Sequence, residues 1–95
     1  MIVLPNIHPG TILKEDFLTP LGISAYRLSK DLHIPQTRIA DILHGRRRIT
    51  ADTALRLSRY FGTTAQFWLN LQNDYALEAG REMLKEALNL IQPRQ

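Results

Sequence analysis

Four side chains within one short stretch, Gln36, Thr37, Arg38 and Asp41, have the hydrogen-bonding repertoire that base edges call for. Glutamine pairs with the adenine edge, an arginine fork with guanine, and threonine touches the thymine methyl. A few residues on stand three consecutive arginines, Arg46, Arg47 and Arg48. Guanidinium forks grip phosphate oxygens, and such contacts position a protein on a duplex without reading its sequence. Arg27 and Lys30, just upstream, add two cations suited to phosphates of the same groove. Each feature alone also fits a solvated surface. Their succession from Leu28 to Arg48, LSKDLHIPQTRIADILHGRRR, points to reading of double-stranded DNA.

Helices must carry these groups. Ser24 is a good N-cap for a helix over Ala25 to Leu32, with Leu28 and Leu32 facing inward. His33-Ile34 makes the turn. Pro35 opens the next helix, which runs to about His44, with Ile39 and Ile42 anchoring the face opposite the polar one. Gly45 is the left-handed stop. The turn usually carries glycine where His33 stands, and histidine tolerates the left-handed conformation better than a branched residue. Before this pair, Pro9 starts a helix that Thr19-Pro20 is expected to end. After it, Thr50 caps a helix with Ala54, Leu57 and Phe61 as its stripe, and Gly62 ends it. Thr64 caps another with Phe67, Trp68, Leu71 and Tyr75 at helical spacing. A last stretch holds Met83, Leu84, Ala87, Leu88 and Ile91, with Gly80 as the place where a break would fall. Apart from Ile2 to Leu4, no segment alternates with period two, so the chain is expected to be all-α.

Bulk properties bound the function. The 95 residues suit a single domain, here read as one helix-turn-helix domain over 1–95, with the motif at about 25–44 and a C-terminal extension at about 64–92. There is no cysteine, and His8, His33 and His44 share no ligand spacing, so no metal or cofactor is expected. No apolar run is long enough for a membrane and the N-terminal segment is not that of a signal peptide, which points to the cytoplasm. The net charge of +3 is modest, but its distribution is not even. Arg27, Lys30, Arg38, Arg46, Arg47, Arg48, Arg56 and Arg59 crowd the middle, while Asp74, Glu78, Glu82 and Glu86 mark the last third. A polyanion is thus expected at the centre and another partner at the tail. No nucleophile with a base, no paired carboxylates and no glycine-rich phosphate loop argues for an enzyme. Phe67, Trp68, Leu71 and Tyr75 read first as core, but together with Leu84, Leu88 and Ile91 they exceed what a five-helix core needs, and a homodimer contact or another protein using Trp68, Leu71, Tyr75, Leu84 and Leu88 would cover the excess.

Three stretches carry a resemblance over nearly the whole chain, from about His8 to Ala79. HPGTILKEDFLTPLGIS (His8 to Ser24), ILHGRRRITADTALRLSRYFGT (Ile42 to Thr63) and FWLNLQNDYALEA (Phe67 to Ala79) resemble the HigA family of antitoxins, on the phage-repressor helix-turn-helix fold. The resemblance implies a five-helix, lambda-repressor-like domain with an added C-terminal helix. It implies a bacterial, nucleoid-associated homodimer that binds an inverted repeat in its own promoter and neutralises a HigB-type mRNA endonuclease toxin. It places base reading on Gln36, Thr37, Arg38 and Asp41 and phosphate contacts near Arg46 to Arg48. Departures are His33 at the turn, Thr64-Ala65 where Ser-Pro is usual, and Ala76 where an Asp is usual. The alternative is a stand-alone helix-turn-helix regulator without a toxin. A third reading, an interaction module whose basic patch is incidental, fits Arg46 to Arg48 beside a polar-faced helix less well.

Overall fold

The computed structural model describes residues 5–94, all of whose regular structure is helical. Ile2 to Leu4, the alternating stretch, lie outside the described residues. Helix α1 runs in three parts, Pro9–Ile12, a π-helical stretch Leu13–Leu18, and Thr19–Leu21. Then follow α2 (Ala25–Leu32), α3 (Gln36–Leu43), α4 (Ala51–Phe61), α5 (Ala65–Met83) and α6 (Lys85–Asn89).

Two expected breaks fall elsewhere. Thr19-Pro20 does not end α1. The Thr19 N–H reaches back five residues to the Lys14 carbonyl, and this wider turn makes room for the proline ring, which would collide with the preceding turn of a regular helix. The helix ends instead at Gly22, left-handed at φ 66°, where the Ile23 N–H closes on the Leu18 carbonyl. Gly80 does not break α5 either. The helix passes through it and yields only at Leu84, whose backbone (φ −99°, ψ 8°) leaves the helical region.

The core is built by α1 to α4 and the start of α5. Leu13, Leu18, Leu28, Leu32, Ile39, Ile42, Ile49, Leu57 and Trp68 form one cluster. Trp68 is fully enclosed, its ring against Phe17 at 4.9 Å and its indole N–H donating to the Thr63 hydroxyl at 2.8 Å. Among the described residues, none beyond Gln72 is buried. The end of α5 and α6 therefore project as an arm. The radius of gyration is 15.9 Å and the longest extent 50 Å, against about 12 Å expected for the radius of a compact chain of this length. Among the described residues no helix is long and apolar enough to cross a membrane, and no cluster of His, Asp or Glu is arranged to hold a metal ion.

His8 fastens α1 to this core. Its Nδ1 accepts from the Gly10 N–H at 2.9 Å as the N-cap, and its ring meets Tyr75 of α5 edge-on at 4.9 Å. The accepting nitrogen must be unprotonated, and burial holds the imidazole below its ordinary value of 6.5. Between the folded and unfolded values the unfolded chain binds the proton that the folded chain refuses. Stability should then be full above about pH 6.5 and decline as the pH falls below it. Urea midpoints from neutral pH downward check this. His8→Asn, which can cap without titrating, should lose this part of the decline.

Candidate nucleic-acid interface

The motif is assembled by four helix ends. Ser24 caps α2 through its hydroxyl, which accepts from the Arg27 N–H at 3.0 Å. At the other end His33 is left-handed (φ 59°, ψ 44°), its N–H bonded to the Lys30 carbonyl and that of Ile34 to Ser29. This is the Schellman closure, with the apolar residue after it buried, as Ile34 is. Pro35 stands at the N-cap of α3 and not inside it, so the helix starts at Gln36. Gly45 closes α3 in the same manner, left-handed at φ 74°, with the Arg46 N–H on the Asp41 carbonyl at 2.8 Å.

Along α3, Ile39 and Ile42 are fully buried, and Gln36 and Thr37 are exposed on the other side with Asp41 half-exposed. Asp41 is joined to the loop that follows, its carboxylate accepting from Arg46 Nε at 3.3 Å. Arg47 and Arg48 are exposed, and among the described residues neither enters an ion pair. The end of that loop is pinned from below. The Ile49 N–H donates to Gln72 Oε1 at 2.8 Å, and Gln72 is itself buried on α5.

Arg38 stands apart from the other three polar residues of α3. It leans over the edge of the helix toward α4, its side chain 22% exposed, and Nη2 donates to Asp52 at 2.8 Å. Its Nε is enclosed without a partner. Asp52 also accepts from Arg56 Nε at 2.8 Å, and Arg56 Nη1 reaches the Leu32 and His33 carbonyls at 2.7 and 3.3 Å. The Arg56 hydrogen bond, seconded by that of Arg38, holds the Asp52 carboxyl below its ordinary value. On α2, Arg27 pairs with Asp31, which accepts from the Tyr60 hydroxyl at 2.6 Å. That hydroxyl, and then Arg27, lowers the Asp31 carboxyl, and Asp31 in turn raises Tyr60. Lys30 lies over the Tyr26 ring at 5.4 Å. Arg27 and Lys30 share no partner with the arginine loop.

A short polar face on α3, flanked by a cationic loop, matches the chemistry of a duplex groove and its phosphate rims. Residues 13–68 match the family model described as Helix-turn-helix. The solved structure of an addiction module antidote protein of a HigA family from Coxiella burnetii is 44% identical, with a TM-score of 0.89, over 96% of this chain and 100% of that one. This chain belongs to the HigA family. The Pseudomonas aeruginosa antitoxin HigA, solved with the higBA promoter, is 39% identical with a TM-score of 0.92, again over 96% of this chain and 100% of that one. Virulence-associated protein I of Dichelobacter nodosus is 52% identical over 90 residues, 95% of this chain and 82% of that protein.

The Helix-turn-helix match stops at Trp68, where the core closes, whereas the likeness to both HigA structures continues into the arm. This division corrects one expected surface. Trp68 is 0% exposed and belongs to this chain's own core, so it presents nothing to a partner. Leu71 is half-buried against the same core, and Tyr75 is half-buried beside His8 with its carbonyl accepting from Asn6. Leu84 and Leu88 are 49% and 46% exposed, together with Leu77 and Ile91. Sequence reasoning missed Asp52 and Arg56 as one buckle, and Gln72. The signal for Gln72 was a polar residue four positions after Trp68 on an inward stripe.

Proposed function

We propose that this chain is an antitoxin that binds operator DNA as a homodimer, represses its own operon and neutralises a HigB-type mRNA endonuclease. The observation that carries the reading is the likeness, over the whole length of both HigA structures, of a chain whose α3 presents Gln36, Thr37 and Asp41 beside Arg46, Arg47 and Arg48. The first three read bases. The arginines clamp phosphates, and Arg27 and Lys30 extend the clamp along the same backbone. Arg38, tied to Asp52, stands outside the reading set.

One α3 contacts too few base pairs to select an operator, so two copies related by a two-fold must place their helices about 34 Å apart, one DNA turn, on one side of the duplex. A two-fold contact needs a self-complementary apolar patch, and the exposed arm with Leu77, Leu84 and Leu88 supplies one. Duplexes selected by the protein from a random-sequence pool should contain an inverted repeat with that period, and light scattering at micromolar concentration should give a dimer that is lost when residues beyond Gly80 are removed. A monomer that selects single half-sites overturns the dimer. For the toxin, the small reading frame adjacent to this gene should arrest growth when expressed alone and not when this chain is co-expressed. A neighbour without effect on growth would leave the stand-alone regulator.

A further inference from the structure

Asp52 sits in the first turn of α4, outside the motif proper, yet it is the point where three elements of the motif meet. One of its oxygens, Oδ1, accepts from Arg38 of α3 and from Arg56 of its own helix, each at 2.8 Å. Arg56 in turn caps the last carbonyls of α2 and the turn, Leu32 and His33. The Schellman closure satisfies Ser29 and Lys30 but leaves these two carbonyls open, and a guanidinium is well suited to such a helix end. The end of α2 is thus tied to α4 by the Arg56 guanidinium and α3 by that of Arg38, and one carboxylate, Asp52, holds both guanidinium groups.

The same carboxylate restrains a charge. Arg38 is the only arginine on α3, in the same first turn as the exposed Gln36 and Thr37. A free guanidinium there would grip any phosphate within reach, adding affinity without discrimination. In the structure it is folded back, with Nε enclosed and Nη2 on Asp52. The cluster holds two arginines against one aspartate, so loss of Asp52 leaves two adjacent cations that repel each other and drive Arg38 outward.

We infer that Asp52 is a positioning residue for DNA recognition, which withholds Arg38 from the DNA backbone and so keeps binding selective. The inference rests on the DNA-binding reading above. It predicts an unusual sign: removing the carboxylate should strengthen non-specific binding.

The test uses full-length protein, a duplex selected by the wild type from a random pool, and a shuffled duplex of equal length. Asp52→Asn keeps the side-chain size. It should bind the shuffled duplex more tightly and steepen the log–log salt slope by about 0.9 for each newly engaged phosphate. The ratio of specific to non-specific affinity should fall by about tenfold or more, the size of one mismatched base pair. Arg38→Met in the Asp52→Asn background should return the salt slope to the wild-type value, and Asp52→Glu should restore discrimination. Loss of affinity for both duplexes in proportion, with the salt slope unchanged, would mean that Asp52 only stabilises the fold and would overturn the inference. So would Arg38→Met alone relaxing preference at one base pair, which would make Arg38 a direct reader. A wild type that selects no duplex would overturn the DNA-binding reading itself, and this inference with it.

Discussion

Alanine at Arg46, Arg47 and Arg48 together is expected to remove most of the salt-sensitive part of DNA binding. The three side chains are exposed on a loop that Gly45 turns sharply out of α3 and that Gln72 holds at its far end through Ile49. Among the described residues only Arg46 of the three has an acidic partner, Asp41, so Arg47 and Arg48 carry most of the unneutralised charge. Each phosphate contact releases counterions and contributes about −0.9 to the log–log slope of affinity against salt. Three contacts per subunit in a dimer give a slope of about −5, a loss on the order of 10³ between 50 and 200 mM salt. The triple variant should lose about that part of the slope, keep the part that Arg27 and Lys30 contribute, and lose affinity for every duplex alike. Gln36→Ala should behave in the opposite way. It carries no charge, so it should cost about 1–3 kcal/mol on the selected site and leave the slope intact. Fluorescence anisotropy on one selected and one shuffled duplex across a salt series separates the two. A wild type indifferent to salt, or a triple variant that keeps the wild-type slope, would mean that the loop does not clamp phosphates.

The contrast between these variants follows the line between what was legible in the sequence and what was not. The second and third helices were legible because their signals are local. Ser24 before a run with Leu28 and Leu32, and Gly45 after Ile39 and Ile42, are caps and stripes that any helix of this size must have. His33 at a left-handed position was legible as a departure that its chemistry allows, and φ 59° bears it out. Long-range partners were not. Arg38 falls on the polar side of α3 by periodicity, and only the arrival of Asp52, fourteen positions on, turns it away from the other polar residues. Trp68 reads first as core yet also offers itself as partner surface, because a stripe at helical spacing does not say which neighbour covers it. The structure gives it to the core through Phe17 and Thr63. Pro20 misled for a related reason. A proline excludes a regular turn around it, but a π-turn shifts the carbonyls that it would strike, and no local signal marks that shift. Gly80 was a weak signal in either direction, since a single glycine lowers helix propensity without forbidding the helix.

Gly10 carries the largest effect that the sequence concealed. It lies buried in the first turn of α1, and a Cβ built there falls 1.9 Å from the carbonyl oxygen of Ile42 and 2.8 Å from its carbon. Both atoms are backbone, at the end of α3, so no flexible side chain can swing away. Accommodating a methyl requires α1 to lift off or α3 to tilt. Either movement would also strain the His8 cap, whose Nδ1 lies 3.1 Å from the same Cβ position. Gly10→Ala should therefore destabilise by about 3 kcal/mol or more, the upper range for overpacking. At about 4–8 °C per kcal/mol for a chain of this size, the melting temperature should fall by more than about 12 °C. Gly80→Ala is the matched control. It is a glycine within a helix with nothing within 4 Å of its Cβ position, and alanine there should add about 0.5–1 kcal/mol. Thermal melts followed by circular dichroism should thus move in opposite directions for the same chemical change. Because Ile42 sits one turn from Arg38 and one residue from Asp41, Gly10→Ala should also weaken discrimination between selected and shuffled duplexes at temperatures where the variant is still folded. A Gly10→Ala protein that melts with the wild type and discriminates equally would show that α1 does not bear on the end of α3, and that α3 is set from the α4 side alone.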